Sequence, residues 1–312
     1  MRKLLLAAFA LSALISCNLL KKNTQKDYTY KSHTEKKMYL RAYDKSLKLW
    51  GVPFQEENIQ TSLGTAHVIM AGPKDAPPLV LLHGMDATST MWYPNIKSLS
   101  KNNRVYAIDF LKEVGKSQST EKSLSKSEIV SWYNEIFDFY KLKKTAIVGA
   151  SRGGWLATLL AVEKNSRINK LILLSPAQTF QNIDQVGKAT SALVLKTFPT
   201  KKQLDKTLAS FSYYPEKIHT DFKRQYFLSY KVAKRSSNFL QMQPFSDDDF
   251  KDLNIPVLVI IGDHDIVNSD LSLERTKKYL SNSKTEKVKN AGHFLSIDQS
   301  ETVNKLIVNF LK

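Results

Sequence analysis

Five short apolar runs constrain the fold of this chain more than any other feature. They lie at residues 79–82, 105–108, 146–148, 171–174 and 257–261. A run without polar alternation is typical of a strand whose two sheet faces are both covered. Segments with helical character separate most of the runs, at about 90–99, 127–140 and 152–165. Strands that alternate with helices predict parallel pairing through right-handed crossovers, and hence an open α/β sheet with ligands at the carboxyl ends of its strands.

The segments that flank these runs extend the prediction. A leading helix is expected over 36–50, and a hairpin is expected over 59–63 and 66–71, with its turn near Gly64. Near the end of the chain, apolar residues at helical spacing predict a helix that packs on the sheet: Val303, Leu306, Ile307, Phe310 and Leu311.

The alternation stops over residues 177–250, which look helical and are rich in aromatic side chains. Because this block is inserted between two predicted strands, we expect it to form a helical lid over the carboxyl edge of the sheet. The core then comprises residues 33–176 and 251–312. The aromatic side chains favour two interpretations equally, an apolar substrate pocket beneath the lid or a hydrophobic core of the lid itself.

A G-x-S-x-G motif, residues 149–153, directly follows the run at 146–148 and directly precedes a helical segment. A serine on such a strand-to-helix turn has a strained backbone, and it needs glycines two residues before and after because side chains there would collide with neighbouring chain. The start of the helix also favours developing negative charge. The motif therefore predicts that Ser151 is a nucleophile, and the alternative is a plain glycine-serine turn.

With this motif in this context, the chain resembles the α/β-hydrolase superfamily over about residues 55–312. The resemblance implies a mostly parallel sheet flanked by helices, with the lid inserted late in the sheet. His83, Gly84 and Met85 follow the run at 79–82, where the family has its oxyanion loop. The backbone N–H groups of Met85 and Arg152 are then the two expected oxyanion donors. His83 is expected to shape the loop and not to transfer protons.

The same resemblance places an acid after the next-to-last strand and a base after the last one. Asp265, three residues after Gly262, is the expected acid, and Asp263 is the alternative; both could instead be solvated loop residues. The base is expected to be His293, because it alone among the six histidines follows that acid. The order Ser151, Asp265, His293 is also the order of this superfamily.

Other polar residues are predicted to be structural. Asp109 ends a predicted strand and is expected to hydrogen-bond loop backbone near the site. Glu113 stands where many relatives have a second glycine before Gly115, which leaves the shape of that loop open. His264 is expected to face solvent. The remaining histidines, His33, His67 and His219, are interpreted as surface or helix residues.

These features predict a serine hydrolase that cleaves a carboxylic ester of a small acyl substrate through an acyl-enzyme, without a metal or another cofactor. A serine nucleophile disfavours epoxide hydrolysis and dehalogenation. The triad does not separate an esterase from an amidase, a peptidase, a thioesterase, a lactonase or a carbon–carbon hydrolase. A surface lipoprotein that uses the fold only for binding is a further alternative.

The N-terminus predicts export. Two basic residues and an apolar run at 4–15 have the pattern of a secretory signal, and the run is too short to span a bilayer comfortably. The residues around Cys17, which is the only cysteine, resemble a bacterial lipoprotein signal. Residues 1–16 are then a signal peptide, and 17–32 are a fatty-acylated (palmitate-type) cysteine and its tether. An ordinary signal peptide or a buried helix with an incidental cysteine is the alternative.

Asn18 follows the cysteine, which permits an outer-membrane location, so the predicted anchor is in the cell membrane or the outer membrane. The formal charge of +17 is spread along the chain, without a zinc-ligand pattern or an RNP-like aromatic strand. We therefore expect no nucleic-acid partner. A lysine-rich solvated surface explains the charge, and attraction to anionic lipid head groups is the second explanation. The oligomeric state is left open.

Overall fold

The computed structural model describes residues 27–163, 166–234 and 242–312, and its centre is a nine-stranded sheet. Along the sheet the order is β1-β2-β4-β3-β6-β7-β8-β9, with β5 paired to β2. The strands are β1 (Phe54–Thr61), β2 (Gly64–Ala71), β3 (Pro78–Leu82), β4 (Arg104–Ile108), β5 (Gln118–Ser119), β6 (Thr145–Ala150), β7 (Ile168–Leu174), β8 (Val257–Gly262) and β9 (Ser283–Val288).

The pairs from β4 through β3, β6, β7 and β8 to β9 are parallel, whereas β2 is antiparallel to each of β1, β4 and β5. The predicted open, mostly parallel α/β sheet is confirmed. In β3, Val80 and Leu82 belong to one hydrophobic core and Leu79 and Leu81 to the other, so both faces are covered. Burial on both faces explains why the central strands read as unbroken apolar runs.

Eleven α-helices are described in the parts of the chain that the structure covers. They are α1 (His33–Leu47), α2 (Ile96–Leu99), α3 (Lys126–Phe139), α4 (Arg152–Val162), α5 (Val186–Thr197), α6 (Lys201–Phe211), α7 (Thr220–Val232), α8 (Asp247–Phe250), α9 (Asp270–Tyr279), α10 (Leu295–Asp298) and α11 (Ser300–Leu311). Three short 3₁₀ helices accompany them at Lys48–Trp50, Ser89–Trp92 and Pro215–Lys217.

Local sequence explains where two of these helices begin. Ser32 accepts a hydrogen bond from the Glu35 N–H at the start of α1. Ser125 and Glu128 form a reciprocal capping box at the start of α3, which satisfies two N–H groups that lack helical partners. At the other end of the chain, Val303 and Ile307 of α11 are buried against the sheet, in the predicted stripe.

Helices α5 to α8 lie between β7 and β8, within the segment predicted as a lid. Leu204, Leu208 and Ile218 form a separate hydrophobic cluster with Tyr226 and other lid residues. Tyr226 also lines the cavity beside Ser151, as do Phe211 and Phe222. The aromatic side chains therefore serve both the lid core and the wall of the cavity.

The structure differs from the sequence predictions at several places. The residues of strand β9 were not predicted, although the resemblance implied a last strand before His293. The helix expected over 90–99 is a 3₁₀ helix followed by the single turn of α2. The predicted tether reached residue 32, but its last part is packed against the fold. Buried Tyr30 donates a hydrogen bond to the Gly115 carbonyl, 2.7 Å away, and the Lys31 N–H donates to the Val232 carbonyl. Residues 1–26, including the predicted signal peptide and Cys17, lie outside the described residues.

Asp109, at the end of β4, holds the loops beside the site, as predicted. Its carboxylate accepts hydrogen bonds from the backbone N–H groups of Ser89, at 2.9 Å, and Lys116, at 3.0 Å. Burial raises its pKa, but the hydrogen bond and charge of His67, together with the Ser89 N–H, outweigh burial and hold the pKa well below its usual range. Asp109 is therefore a buried anion that fixes two loops.

The interpretation of His67 as a surface or helix residue is wrong. His67 is buried in β2, with Nδ1 3.3 Å from Asp109 and Nε2 3.0 Å from Glu56. Burial lowers the pKa of His67, but the two carboxylates raise it more, so the net shift is upward. Its signal in the sequence was weak, because a lone histidine in an alternating strand fits either face.

We expect His67→Gln to destabilise the fold more at pH 6 than at pH 9. A histidine whose pKa is raised by folding contributes stability that is fully present below its unfolded pKa of about 6.5 and is lost as the pH rises through the folded pKa. Removing one partner of a buried ion pair costs about 3 kcal/mol. Urea unfolding of both proteins at the two pH values measures this, with His264→Gln, at an exposed histidine, as control. An equal difference at both pH values would contradict a charged His67.

Candidate active site

The turn that carries Ser151 joins β6 to α4 and has a left-handed backbone, with φ 52° and ψ −118°. A Cβ on Gly149 would lie 2.2 Å from the Gly153 carbonyl oxygen, and one on Gly153 would lie 2.1 Å from the Leu82 oxygen. Neither position therefore accepts a side chain. A non-glycine residue in such a conformation costs about 1–3 kcal/mol, so the surrounding chain must hold it. The Ser151 N–H donates to the Leu174 carbonyl at 2.9 Å, which ties the turn to β7.

Three chain segments that end at the same sheet edge bring Ser151, His293 and Asp265 together. Ser151 follows β6, Asp265 follows β8 and His293 follows β9. His293 Nε2 lies 2.9 Å from Ser151 Oγ, and His293 Nδ1 lies 3.0 Å from Asp265 Oδ1. Asp265 and His293 are buried, and Ser151 is half-buried. The serine hydroxyl is thus the end of this chain of hydrogen bonds that a substrate can reach.

Asp265 is fixed as an ionised acceptor. Its Oδ1 also accepts the Val267 N–H at 2.9 Å, and its Oδ2 accepts a hydrogen bond from the Asn268 amide at 3.1 Å. Burial raises the pKa of Asp265, but the charge and hydrogen bond of His293, together with the Val267 N–H, lower it more, so the net shift is downward. A carboxylate on Nδ1 favours the tautomer in which that nitrogen carries the proton. Nε2 is then free to accept the proton of Ser151.

Asp263, the alternative acid, occupies a different position. Its carboxylate lies 2.7 Å from His264 Nδ1 and accepts the Ala291 N–H at 3.1 Å. The side chain of His264 is exposed, as predicted. The structure therefore brings Asp265, and not Asp263, to His293.

The loop after β3 lies against the nucleophile. A Cβ on Gly84 would be 3.4 Å from Ser151 Cβ. Within the described residues, the backbone N–H groups of Met85 and Arg152 have no acceptor. Arg152 is the first residue of α4, where N–H groups lack helical partners. Both N–H groups beside Ser151 are therefore available to an anion, as the sequence predicted for an oxyanion site.

His83 shapes this loop, as expected. Its Nδ1 lies 2.8 Å from the Gly84 carbonyl oxygen, and its Nε2 accepts the Phe110 N–H at 2.8 Å. Burial lowers the pKa of His83 to about 4, so the ring is neutral at physiological pH. A neutral ring that donates through one nitrogen and accepts through the other holds β3 and β4 together where both strands end.

A family model described as alpha/beta hydrolase fold matches residues 77–199. An uncharacterized carboxylesterase, nap, of Bacillus subtilis (strain 168) is 31% identical over 286 aligned residues, which cover 87% of this chain and 91% of that protein. This chain belongs to the α/β-hydrolase family. Carboxylesterase YbfK of the same organism is 29% identical and covers 88% of this chain and 93% of its own. The crystal structure of naproxen esterase from Bacillus subtilis superimposes with a TM-score of 0.83 and 31% identity, over 88% of this chain and 97% of that one. The chain is therefore a hydrolase.

The hydrolase has a cavity of about 130 Å³ beside Ser151 and His293. Most of its lining is apolar, and lid residues Ile183, Ala189 and Ala192 form part of one wall. Such a cavity favours an apolar part of a substrate next to the nucleophile.

Two ion pairs of the hydrolase beside this cavity were not predicted. Asp86, in the loop after β3, lies 3.5 Å from Lys196 of the lid, and the largely buried carboxylate also lines the cavity. Burial and the neighbouring charge of Glu113 raise the pKa of Asp86. Glu113 itself forms an ion pair with Arg152, whose guanidinium lies 4.8 Å from the Phe110 ring. This pair and the Phe110 ring hold the Arg152 side chain in a buried position.

Among residues 27–163, 166–234 and 242–312 of the hydrolase, no group of three or more His, Cys, Asp or Glu residues could hold a metal ion. In the same residues, no helix has the length and apolar character needed to cross a membrane.

Proposed function

We propose that this hydrolase is a serine carboxylesterase in which Ser151 is the nucleophile, His293 the general base and Asp265 the acid that orients it. The continuous hydrogen-bonded path from Ser151 Oγ through His293 to Asp265 supports this proposal. Two relatives, nap and YbfK, are named carboxylesterases, which supports ester over amide substrates.

The geometry suits acyl transfer in two steps. Ser151 Oγ attacks the acyl carbon while His293 Nε2 takes its proton, and His293 returns that proton to the leaving alcohol. The tetrahedral oxyanion lies between the N–H groups of Met85 and Arg152, each worth about 3 kcal/mol of transition-state stabilisation. Water then attacks the acyl-enzyme, with His293 again as the base, and releases the acid and free Ser151.

A fluorophosphonate probe tests the proposal directly, because it reacts covalently with an activated serine and much more slowly with an ordinary one. The wild-type protein should be labelled at Ser151, as located by peptide mass, and should hydrolyse aryl esters in the same preparation. A correctly folded wild-type protein that is not labelled would instead support a role in binding alone.

The apolar cavity gives a prediction about acyl length. We expect kcat/KM to rise from acetyl to hexanoyl aryl esters, because each buried methylene contributes about 0.8 kcal/mol. Ala192→Phe should remove this preference by filling the cavity, whereas Ala209→Phe, at an exposed position of α6, should keep it. Steady-state kinetics on the ester series measures both. A flat or falling series in the wild type would show that the acyl group does not bind in this cavity.

We also propose that Cys17 is the lipidated N-terminus of an exported, membrane-anchored protein. The lipobox-like residues before it and the absence of a second cysteine support this. Two acyl chains would anchor the protein stably, whereas one chain gives marginal binding. Cys17→Ala expressed in the native host should shift from the membrane to the soluble fraction and should lose the acyl mass of its N-terminal peptide. The anchor would be refuted if Cys17→Ala and the wild type were retained equally in the membrane and the N-terminal peptide of the wild type carried no acyl mass.

A further inference from the structure

Helix α5 of the lid, together with the residue that follows it, carries four exposed hydrophobic side chains. The side chain of Val186, at the start of the helix, is 61% exposed. Near its end, Leu193 is 64% exposed, Val194 43% and Phe198 67%. These four residues are called the lid face below. Other exposed hydrophobic residues in the described chain are dispersed over different elements, which is normal for a soluble surface, whereas a contiguous patch marks an interaction site.

The charged residues of the chain segment that carries the lid face are of one sign. Between Asp184 and Asp205 the sequence has four lysines and no acidic residue: Lys188, Lys196, Lys201 and Lys202. Three of these lysines are exposed, and Lys196 is half-buried against Asp86. An apolar helix face flanked by lysines is typical of helices that lie in the head-group region of a bilayer. A second copy of the chain fits poorly, because a twofold interface brings the same lysines together.

The N-terminal segment enters the fold beside this helix. Lys31 lines a small surface cleft together with Lys196, Thr197 and Pro199, at the end of α5. Asp27 lies ten positions after Cys17, and a fully extended chain of that length spans at most about 35 Å. An acyl group on Cys17 would therefore hold the end of α5 close to the membrane.

We propose that the lid face docks on an anionic lipid bilayer. The opposite side of α5 lines the catalytic cavity through Ala189 and Ala192, so docking places the wall of the cavity one helix away from the lipid. The docking surface does not depend on the identity of the catalytic residues, and it would bring the proposed esterase to esters that partition into membranes.

Single-thiol labelling of the full chain tests this, since Cys17→Ala leaves no other cysteine. An environment-sensitive fluorophore is attached in this background through Leu193→Cys or Phe198→Cys. The matched control is Phe139→Cys. Phe139 is 52% exposed and is followed in the sequence by lysines. It precedes β6 and therefore lies at the opposite edge of the sheet. The probe surface is vesicles of phosphatidylglycerol and phosphatidylcholine that contain brominated lipid, with pure phosphatidylcholine vesicles for comparison.

We expect the labels at positions 193 and 198 to shift to the blue and to be quenched by the brominated lipid several-fold more than the label at 139. Added salt and neutral vesicles should weaken the effect, because the lysines contribute electrostatic attraction. Equal quenching at all three positions would overturn the proposal, since the N-terminal segment alone would then explain binding. A blue shift that depends on protein concentration without vesicles would overturn it in favour of a second copy. Hydrolysis of a soluble acetyl ester, measured on the same samples, reports separately on the proposed catalytic function.

Discussion

Replacing Ser151 with alanine is expected to lower kcat for aryl esters by about a million-fold, and His293→Gln by a similar factor. Without Ser151 Oγ no acyl-enzyme forms, and without His293 Nε2, 2.9 Å from that oxygen, the serine proton has no acceptor. Because the two residues act as a unit, the double variant should be only slightly worse than either single one. Some rate above the uncatalysed reaction should remain, since the N–H groups of Met85 and Arg152 are unchanged.

The measurement is single-turnover and steady-state hydrolysis with freshly purified variants, together with their urea unfolding curves. His264→Gln is the matched control for His293→Gln, because His264 is exposed and bonded only to its neighbour Asp263 among the described side chains. It should keep near wild-type activity. Wild-type turnover by Ser151→Ala would refute the proposed mechanism.

Asp265→Asn is expected to lower kcat by about four orders of magnitude. The amide is neutral and cannot stabilise the imidazolium of His293, and its NH₂ group favours the tautomer with the proton on Nε2, which then cannot accept from Ser151. With the NH₂ group in the place of Oδ1, which now accepts the Val267 N–H, the amide oxygen takes the place of Oδ2 and keeps the hydrogen bond from the Asn268 amide. No group that would contact the substrate is changed. The loss should therefore appear in kcat more than in KM or in stability.

Asp263→Asn is the matched control, two residues away and of identical chemistry. Asp263 bonds to His264 and Ala291, so its replacement should change kcat by less than about tenfold, within the range of a surface change. If Asp263→Asn were the damaging variant and Asp265→Asn the mild one, the assignment of the acid would be reversed.

The sequence predicted the central strands well, because burial on both faces leaves a local mark in the form of unbroken apolar runs. Strand β9 leaves no such mark. Its residues are Ser283 to Val288, of which only Val288 is buried, and its pairing depends on hydrogen bonds to β8 that any side chain permits. An edge strand of this kind is defined by its neighbour and not by its own composition.

In the candidate site too, some features were predictable from local sequence and others were not. The serine motif, the order of the three residues and the loop after β3 are local patterns, and the structure brings those residues together. The pairs of Asp86 with Lys196 and of Glu113 with Arg152 join residues 110 and 39 positions apart. Their formation depends on where the lid and the loop after β4 lie, which neither charge nor spacing indicates. A buried carboxylate beside the cavity was therefore predictable only from the folded chain.

The left-handed backbone at Ser151 also limits which nucleophiles this scaffold can carry. A β-branched residue at φ 52° brings its additional γ atom against the preceding backbone, so threonine is excluded although it carries the same hydroxyl. Cysteine has no such branch and fits the turn, with a larger sulfur atom facing His293. Position 151 can therefore change to a cysteine nucleophile during evolution, but not to a threonine.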